Sequence, residues 1–125
     1  MNYIIMDLEW NNAYMTSTQK FVNEIIEIGA VKLNEKLEIV DTYSELIKPV
    51  VSKKLRTRIK DLTHITNEEV LRGKPLQEAI SQLEQWVGED AIVMTWGDTD
   101  VRTMLTNFKC FLKKDKIDFI KKYAD

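Results

Sequence analysis

Two carboxylates stand one residue apart where the first apolar run of the chain stops, in the segment Ile4-Ile5-Met6-Asp7-Leu8-Glu9-Trp10. Because successive side chains of an extended chain point to opposite faces, Asp7 and Glu9 are expected on the same side of a strand end. Such a pair suits hard divalent cations such as Mg²⁺ and Mn²⁺, which prefer oxygen ligands. An isolated Asp-x-Glu more often solvates the mouth of a buried strand, so the chemical interpretation depends on carboxylates elsewhere in the chain.

A second acidic segment, Thr95-Trp96-Gly97-Asp98-Thr99-Asp100, follows a short apolar run about ninety residues later. Ligands of α/β sheets bind at the carboxyl ends of strands, which is the position predicted for this segment. Asp98 and Asp100 are both candidate ligands. Either could instead cap the helix that follows, because an acidic side chain stabilises a helix N-terminus.

The strands that must position these carboxylates are predicted from the hydrophobic pattern. Segments rich in β-branched residues predict three strands, at 2–9, 24–33 and 37–47. Because the link between the last two is short, we expect the three strands to be antiparallel neighbours. The polar segment 10–19 is predicted to be a loop. The apolar run 91–96 predicts a fourth strand of the parallel type, which is covered on both faces.

Helices are predicted wherever a capping residue or an apolar face occurs, at 52–62, 66–73, 75–87 and 101–112. Ser52 is expected to cap the first, and Thr66 to cap the second through a capping box with Glu69. The segment 117–123 could begin a further strand or helix. The whole pattern indicates an α/β domain in which helices pack on a mixed sheet.

Composition narrows the class of protein. With 125 residues the chain forms one domain at most, and its net charge of −2 argues against nucleic-acid binding over the whole surface. Its single cysteine rules out an internal disulfide and fits a reducing compartment. No apolar run is long enough to cross a membrane, so we expect a cytoplasmic protein without a membrane partner.

Four blocks of the sequence resemble, in order and spacing, the DEDDh 3'-5' exonucleases, which are proofreading-subunit-like nucleases. The exoribonuclease branch, which processes RNA 3' ends, is the nearest match. The matching blocks are 6–10, 23–31, 62–66 and 96–100. The resemblance implies a ribonuclease H-like fold, with three antiparallel strands followed by a parallel strand. It also implies a single exonuclease domain over residues 1–125 that hydrolyses single-stranded RNA or DNA from the 3' end.

The resemblance also assigns roles to individual residues. It implies that Asp7, Glu9 and Asp100 are the catalytic carboxylates and hold two Mg²⁺ or Mn²⁺ ions, which would activate a water and stabilise the departing 3' oxygen. Asp98 then becomes a supporting or capping residue, and Glu27 a structural support. The residues implied to contact the terminal nucleotide are Leu8, Trp10, Asn11, Thr63, His64 and Ile65.

One part of the family pattern is missing. The family carries a general-base histidine and a fourth carboxylate five positions after it, whereas the only histidine here is His64, which precedes Asp100. We therefore expect either a truncated piece of a longer exonuclease or a natural short homologue. Either would lack the C-terminal part of the fold, have impaired activity, and expose a sheet face through which it could self-associate. Two alternatives remain: a non-catalytic nucleic-acid-binding module with this fold, and a metal-dependent phosphotransferase.

Basic and aromatic residues add further candidates for substrate binding. Six basic residues precede the 62–66 block, and they either form a solvated helix face or contact substrate phosphates: Lys48, Lys53, Lys54, Arg56, Arg58 and Lys60. Trp86 and Trp96 are predicted to belong to the core. Trp10, just after the first acidic motif, is the tryptophan placed to stack on a base.

Overall fold

The computed structural model describes residues 1–120 and 123–124. In chain order its elements are β1 (Asn2–Met15), β2 (Lys20–Leu33), β3 (Ile39–Leu46), α1 (Thr57–Thr63), α2 (Asn67–Leu71), α3 (Leu76–Val87), β4 (Ala91–Met94), α4 (Thr99–Asn107) and β5 (Tyr123–Ala124). A π-helical segment, Phe108–Leu112, continues directly from α4. None of the helices in the described part of the chain has the length and apolar character of a bilayer-spanning segment.

The strands form one mixed sheet in the order β3-β2-β1-β4-β5. The first three strands are antiparallel neighbours, whereas β4 runs parallel to β1 and β5 runs parallel to β4. This arrangement confirms the prediction of three antiparallel strands followed by a parallel strand. The tail segment 117–123 reaches a strand only at Tyr123, and its residues 121 and 122 lie outside the described part of the chain.

The first half of β1 follows the two-residue period of a strand with one buried face. Ile4, Met6 and Leu8 are buried, and they share a core cluster with the apolar stripe of α3, which consists of Ala79, Ile80, Leu83 and Val87. Burying each large aliphatic side chain contributes about 1.5–3 kcal/mol to stability. The opposite face of β1 is therefore left for Asp7 and Glu9.

A bulge in β2 divides its isoleucines between two cores. The pairing passes from Glu9 opposite Glu27 to Trp10 opposite Ile25, so Ile26 is the extra residue. Ile25 packs in the main core, while Ile26 packs in a second cluster with Leu55, Ile65 and Val70. The bulge thus fixes which residues stand beside the carboxylates.

The second cluster is closed by the predicted capping box of α2. The Thr66 hydroxyl accepts a hydrogen bond from the Glu69 amide at 3.1 Å, and the Glu69 carboxylate accepts one from the Thr66 amide at 3.0 Å. This confirms the sequence signature. It also fixes the position of Ile65, which precedes the cap and is buried in the cluster.

The predicted loop at 10–19 is wrong, because β1 and β2 continue as a long hairpin and only 16–19 form the turn. The Asn12 amide donates to the Asn23 side-chain oxygen at 2.8 Å, and the Tyr14 and Phe21 rings lie 5.2 Å apart between centroids. Cross-strand pairs of this kind stabilise a sheet without an apolar alternation. The polar composition of residues 10–15 therefore gave no sequence signal for a strand.

Several element ends also differ from the prediction. The helix after 52 begins at Thr57, and Ser52 caps nothing: its amide and hydroxyl both donate to Glu24 at 2.7 Å. The third strand begins at Ile39 because Leu37 has a positive φ of 63° in the preceding turn. The predicted helix at 101–112 begins at Thr99 and changes from α to π geometry at Phe108.

Candidate active site

The structure brings the three predicted carboxylates together at the middle of β1. Since β4 runs parallel to β1, the chain leaves β4 beside this region, and α4 begins there. Asp100, in the first turn of α4, accepts a hydrogen bond from the Leu8 amide at 3.0 Å. Leu8 lies between Asp7 and Glu9, so the Asp100 carboxylate is anchored to the backbone between the other two acids.

Glu27 adds a fourth carboxylate to this group, which we call the acidic cluster: Asp7, Glu9, Glu27 and Asp100. Glu27 stands directly opposite Glu9 in the β1–β2 pairing. The family resemblance made it a structural support, and its position across from Glu9 depends on the register of the hairpin, which the sequence does not show. That register is set by a bulge that no local sequence signal marks.

The acidic cluster is electrostatically strained. Burial raises the pKa of Glu9, and the charges of Asp7, Glu27 and Asp100 raise it further. Burial also raises the pKa of Asp100, against the lowering effect of the Leu8 amide, and contacts with Asp7 raise it again. Each shift reports an unfavourable interaction of the charged form, and a bound cation would relieve it.

The donor chemistry of the acidic cluster fits a hard divalent ion, because every side chain offers carboxylate oxygens. Within residues 1–120 and 123–124, however, no three His, Cys, Asp or Glu side chains are already closed around a single ion position. One Asp100 oxygen is engaged by the Leu8 amide. Binding one ion through all three predicted ligands therefore requires side-chain rotation, and their role as ligands stays a prediction.

An open cavity of about 440 Å³ adjoins the acidic cluster, and Glu9 belongs to both. Its lining combines apolar, basic and acidic side chains: Leu8, Glu9, Trp10, Asn12, Arg56, Arg58, Ile59 and Leu62. Apolar and aromatic walls suit a base, and guanidinium groups suit phosphates. We call it the terminal cavity. The sequence indicated Leu8, Trp10 and the two arginines, but it missed Asn12, Ile59 and Leu62.

Asn11, predicted to contact the terminal nucleotide, is instead a buried support with 1% of its surface exposed. Its amide nitrogen donates to the Ser52 hydroxyl at 2.9 Å, and its oxygen accepts from the Arg56 amide at 2.9 Å. The Asn11 side chain therefore holds the backbone at Arg56, just before α1, against β1. Asn11 lies on the same face of β1 as Asp7 and Glu9, but its bonds to Ser52 and Arg56 bury it there, so contact with a nucleotide stays a prediction.

The predicted contacts at 63–65 do not line the terminal cavity. The Thr63 hydroxyl donates to the Ile59 carbonyl at 2.7 Å and accepts from the Ile65 amide at 3.2 Å. Ile65 is buried in the second core cluster, and exposed His64 ends α1 with a left-handed φ of 60°. In this structure the three residues shape the turn after α1, and the preceding Leu62 is the one that reaches the cavity.

One prediction at the end of β4 is wrong. Trp96 is not part of the core, since 99% of its surface is exposed; β4 ends at Met94, and the chain turns outward at Gly97, where φ is +86°. Asp98 stands at the N-cap position of α4, but its side chain makes no capping hydrogen bond and pairs with Arg102 at 2.9 Å. Trp86, by contrast, packs against the main core as predicted.

Comparison with known proteins gives a family match over nearly the whole chain. The RNase_T family model, described as an exonuclease, matches residues 4–125. The probable 3'-5' exonuclease KapD of Bacillus subtilis is 34% identical over 92 residues, which cover 73% of this chain and 44% of KapD. Human ERI1 exoribonuclease 3 is 28% identical over 133 residues, which cover 98% of this chain and 38% of that protein. The chain thus spans less than half the length of these curated relatives.

The fold is also similar to that of solved nucleases. The nuclease domain of 3'hExo, a DEDDh family member bound to rAMP, superposes with a TM-score of 0.72 at 26% identity. The match covers 93% of this chain and 61% of the solved chain. The ribonuclease H-like fold predicted from the four sequence blocks is thereby confirmed.

Proposed function

Because this chain belongs to the RNase_T exonuclease family, we propose that it hydrolyses single-stranded RNA or DNA from the 3' end and releases nucleoside 5'-monophosphates. The observation that carries the proposal is the bond between the Leu8 amide and the Asp100 carboxylate. It joins two acidic motifs that are about ninety residues apart in sequence. A terminal cavity with basic and aromatic walls lies directly beside them.

The proposal assigns the acidic cluster to divalent metal ions, as the resemblance to the DEDDh exonucleases implies. Asp7, Glu9 and Asp100 would hold Mg²⁺ or Mn²⁺, and Glu27 adds a further negative charge beside Glu9. When bound, such ions neutralise a scissile phosphate and lower the pKa of a water. The protein's own contribution is positional, since the Leu8 amide fixes Asp100 against β1.

The terminal cavity would hold the 3'-terminal nucleotide. Trp10, Ile59 and Leu62 supply apolar walls for a base, while Arg56 and Arg58 stand where phosphates of the strand could be bound. The relatives support this class of substrate, since one is named an exoribonuclease and the solved neighbour holds rAMP. RNA and DNA both fit this description.

We further propose that the 125-residue chain has impaired catalysis. Its only histidine, His64, ends α1 and does not line the terminal cavity, so the proposal assigns it no role as a general base. Loss of a general base lowers a rate by roughly 10² to 10⁴-fold. The alternative function is nucleic-acid binding without hydrolysis, which the same cavity would support.

The test is incubation of a 5'-labelled single-stranded oligonucleotide with the chain and Mg²⁺ or Mn²⁺, followed by gel analysis. Stepwise shortening from the 3' end that disappears in Asp7→Asn would support the exonuclease. Retained binding without shortening would favour the binding module. Absence of both binding and shortening would exclude both proposals.

A second copy of the chain is the partner we propose for the sheet face that carries Asp7. Ile5 is 47% exposed on this face, next to half-buried Val31 and Met94 on the neighbouring strands. Burying this apolar surface would stabilise a dimer. Sedimentation should show association that Ile5→Asp weakens, and a monomer at all concentrations would contradict it.

A further inference from the structure

The β1–β2 hairpin carries a second set of aromatic and basic side chains beyond the acidic cluster. Glu27 stands opposite Glu9, and farther along the same hairpin Tyr14 stands opposite Phe21. At about 3.3 Å per residue, Tyr14 lies roughly 17 Å along β1 from Glu9. Any contact made there concerns a nucleotide upstream of the cleaved end.

Phe21 is the central residue of this outer region. It is 60% exposed although it is a large apolar side chain, and its ring meets the Tyr14 ring in an edge-to-face contact. The Arg56 guanidinium lies 5.8 Å from the centroid of the same ring. Exposed aromatic rings flanked by guanidinium groups are the surfaces on which single-stranded bases stack.

Arg56 is held in this position by the hairpin itself. Its Nε donates to the Asn12 carbonyl at 2.6 Å, and a terminal nitrogen donates to the Asn12 side-chain oxygen at 3.4 Å. Asn12 is fixed in turn by its bond to Asn23. Because the guanidinium is already oriented, little side-chain entropy would be lost on binding a strand.

The outer region is continuous with the terminal cavity. Asn12 lines that cavity on one side and, on the other, an open groove of about 320 Å³ between the hairpin and α4. Phe21 and Arg102 also line this groove, together with hydroxyl side chains of α4: Thr99, Thr103 and Thr106. A strand leaving the terminal cavity thus meets a guanidinium, an aromatic ring and then a polar groove.

We propose that Phe21, with Tyr14 and Arg56, forms a stacking subsite for a nucleotide upstream of the 3' end of a single strand. This inference rests on the proposed function, because it takes the terminal cavity as the place of the 3' end. The subsite would add affinity that depends on strand length but not on base identity, since every base has an aromatic face. Contacts from Arg56 to the backbone would make part of that affinity salt-dependent.

The experiment compares binding of a dinucleotide and an octanucleotide by fluorescence anisotropy, with Ca²⁺ in place of Mg²⁺ to prevent hydrolysis. Phe21→Ala should weaken octanucleotide binding roughly five- to thirtyfold and leave dinucleotide binding unchanged. Phe21→Leu should behave like Phe21→Ala, whereas Phe21→Tyr should retain the affinity. Ile39→Ala, an exposed apolar residue on the outer strand β3, is the matched control.

The outcomes separate this inference from the proposed function. If the wild-type chain binds both lengths and Phe21→Ala changes neither, or weakens both equally, the upstream subsite is wrong and the proposed function stands. If Phe21→Leu binds the octanucleotide as well as wild type does, the contact is apolar packing rather than stacking, and the subsite is again refuted. If the wild-type chain binds neither length, the proposed function and the subsite fail together.

Discussion

The two halves of β1 belong to one continuous strand, but their side chains lie in different environments. Between Asn2 and Glu9 the side chains alternate between the main core and the open face that carries Asp7 and Glu9. Trp10 still packs against the main core, but between Asn11 and Met15 the strand leaves that cluster and is held by side-chain bonds and by the partly exposed Tyr14–Phe21 pair. The inner half carries Asp7 and Glu9 of the acidic cluster, and the outer half presents an open surface.

The positions of the two halves of β1 therefore depend on different interactions. Apolar burial fixes the inner half, so its geometry tolerates polar changes on the open face. The outer half depends on buried polar anchors, Asn11 and Glu24, whose bonds join the hairpin to the segment 50–56. A change to an inner carboxylate should alter catalysis, whereas a change to an outer anchor should alter stability and binding.

The largest effect is expected from Asp7→Asn in the inner half. Loss of one proposed ligand removes several kcal/mol of transition-state stabilisation, which is roughly a thousandfold in rate. Initial rates of oligonucleotide shortening measure this, with Asp41→Asn on β3 as the control. Lost shortening without a lowered melting temperature would sharpen the comparison, while full activity of Asp7→Asn would break it.

The next effect concerns Glu24, the polar anchor of the outer half. Its carboxylate is 3% exposed and accepts bonds from the amides of Val50, Val51 and Ser52 and from the Ser52 hydroxyl. Glu24→Gln replaces one acceptor oxygen with a donor, which should lower the free energy of unfolding by about 2–3 kcal/mol. Urea denaturation measures the change in the free energy of unfolding. If Glu24→Gln unfolds at the same urea concentration as the wild-type chain, the Glu24 bonds are not needed for stability.

A smaller effect is expected when Arg56 becomes lysine. Lysine cannot reproduce the two bonds to Asn12 or the planar contact with Phe21, so octanucleotide affinity should fall roughly two- to fivefold. Arg58→Lys is the matched control, because Arg58 also lines the terminal cavity, whereas the guanidinium beside the Phe21 ring belongs to Arg56. Equal losses in the two variants would mean that the Arg56 contact with Phe21 adds nothing specific, and no loss in either would mean that only net charge matters at this surface.

The smallest effect is expected from Glu27→Gln, three residues from Glu24 in the same strand. Glu27 faces Glu9 across the sheet, and its pKa is raised by burial and by the charge of Asp7. Removing one like charge should stabilise the metal-free chain by a few tenths of a kcal/mol. Thermal melting in EDTA measures the change in stability, which should be opposite in sign to that of Glu24→Gln. A destabilised Glu27→Gln would contradict the electrostatic strain in the acidic cluster.

The inner half could be predicted from sequence because its information is local. The alternation of Ile4, Met6 and Leu8 with Asp7 and Glu9 indicates a strand, its buried face and the side on which the acids stand. The capping box at Thr66 and the apolar stripe of α3 were likewise confirmed. Family resemblance supplied the link to Asp100, since no local pattern shows that a turn ninety residues away returns to β1.

The outer half could not be predicted, because its order comes from pairing across the hairpin. Asn11 and Asn12 occur in a polar segment that favours a loop, and only the contacts with Asn23, Ser52 and Arg56 make it a strand. The positions of Glu27 and Trp96 depend on a bulge and on the length of β4, which are tertiary features. Residues that line a surface, such as Leu62, are revealed only once the elements are packed.

The central claim is that acidic residues from β1 and α4 form one metal site. Mn²⁺ titration followed by electron paramagnetic resonance tests it most directly, comparing the wild-type chain with Asp100→Asn. The account predicts that the wild-type chain binds Mn²⁺ and that Asp100→Asn weakens this binding at least about tenfold. Wild-type affinity in Asp100→Asn, or no binding by either protein, would contradict it.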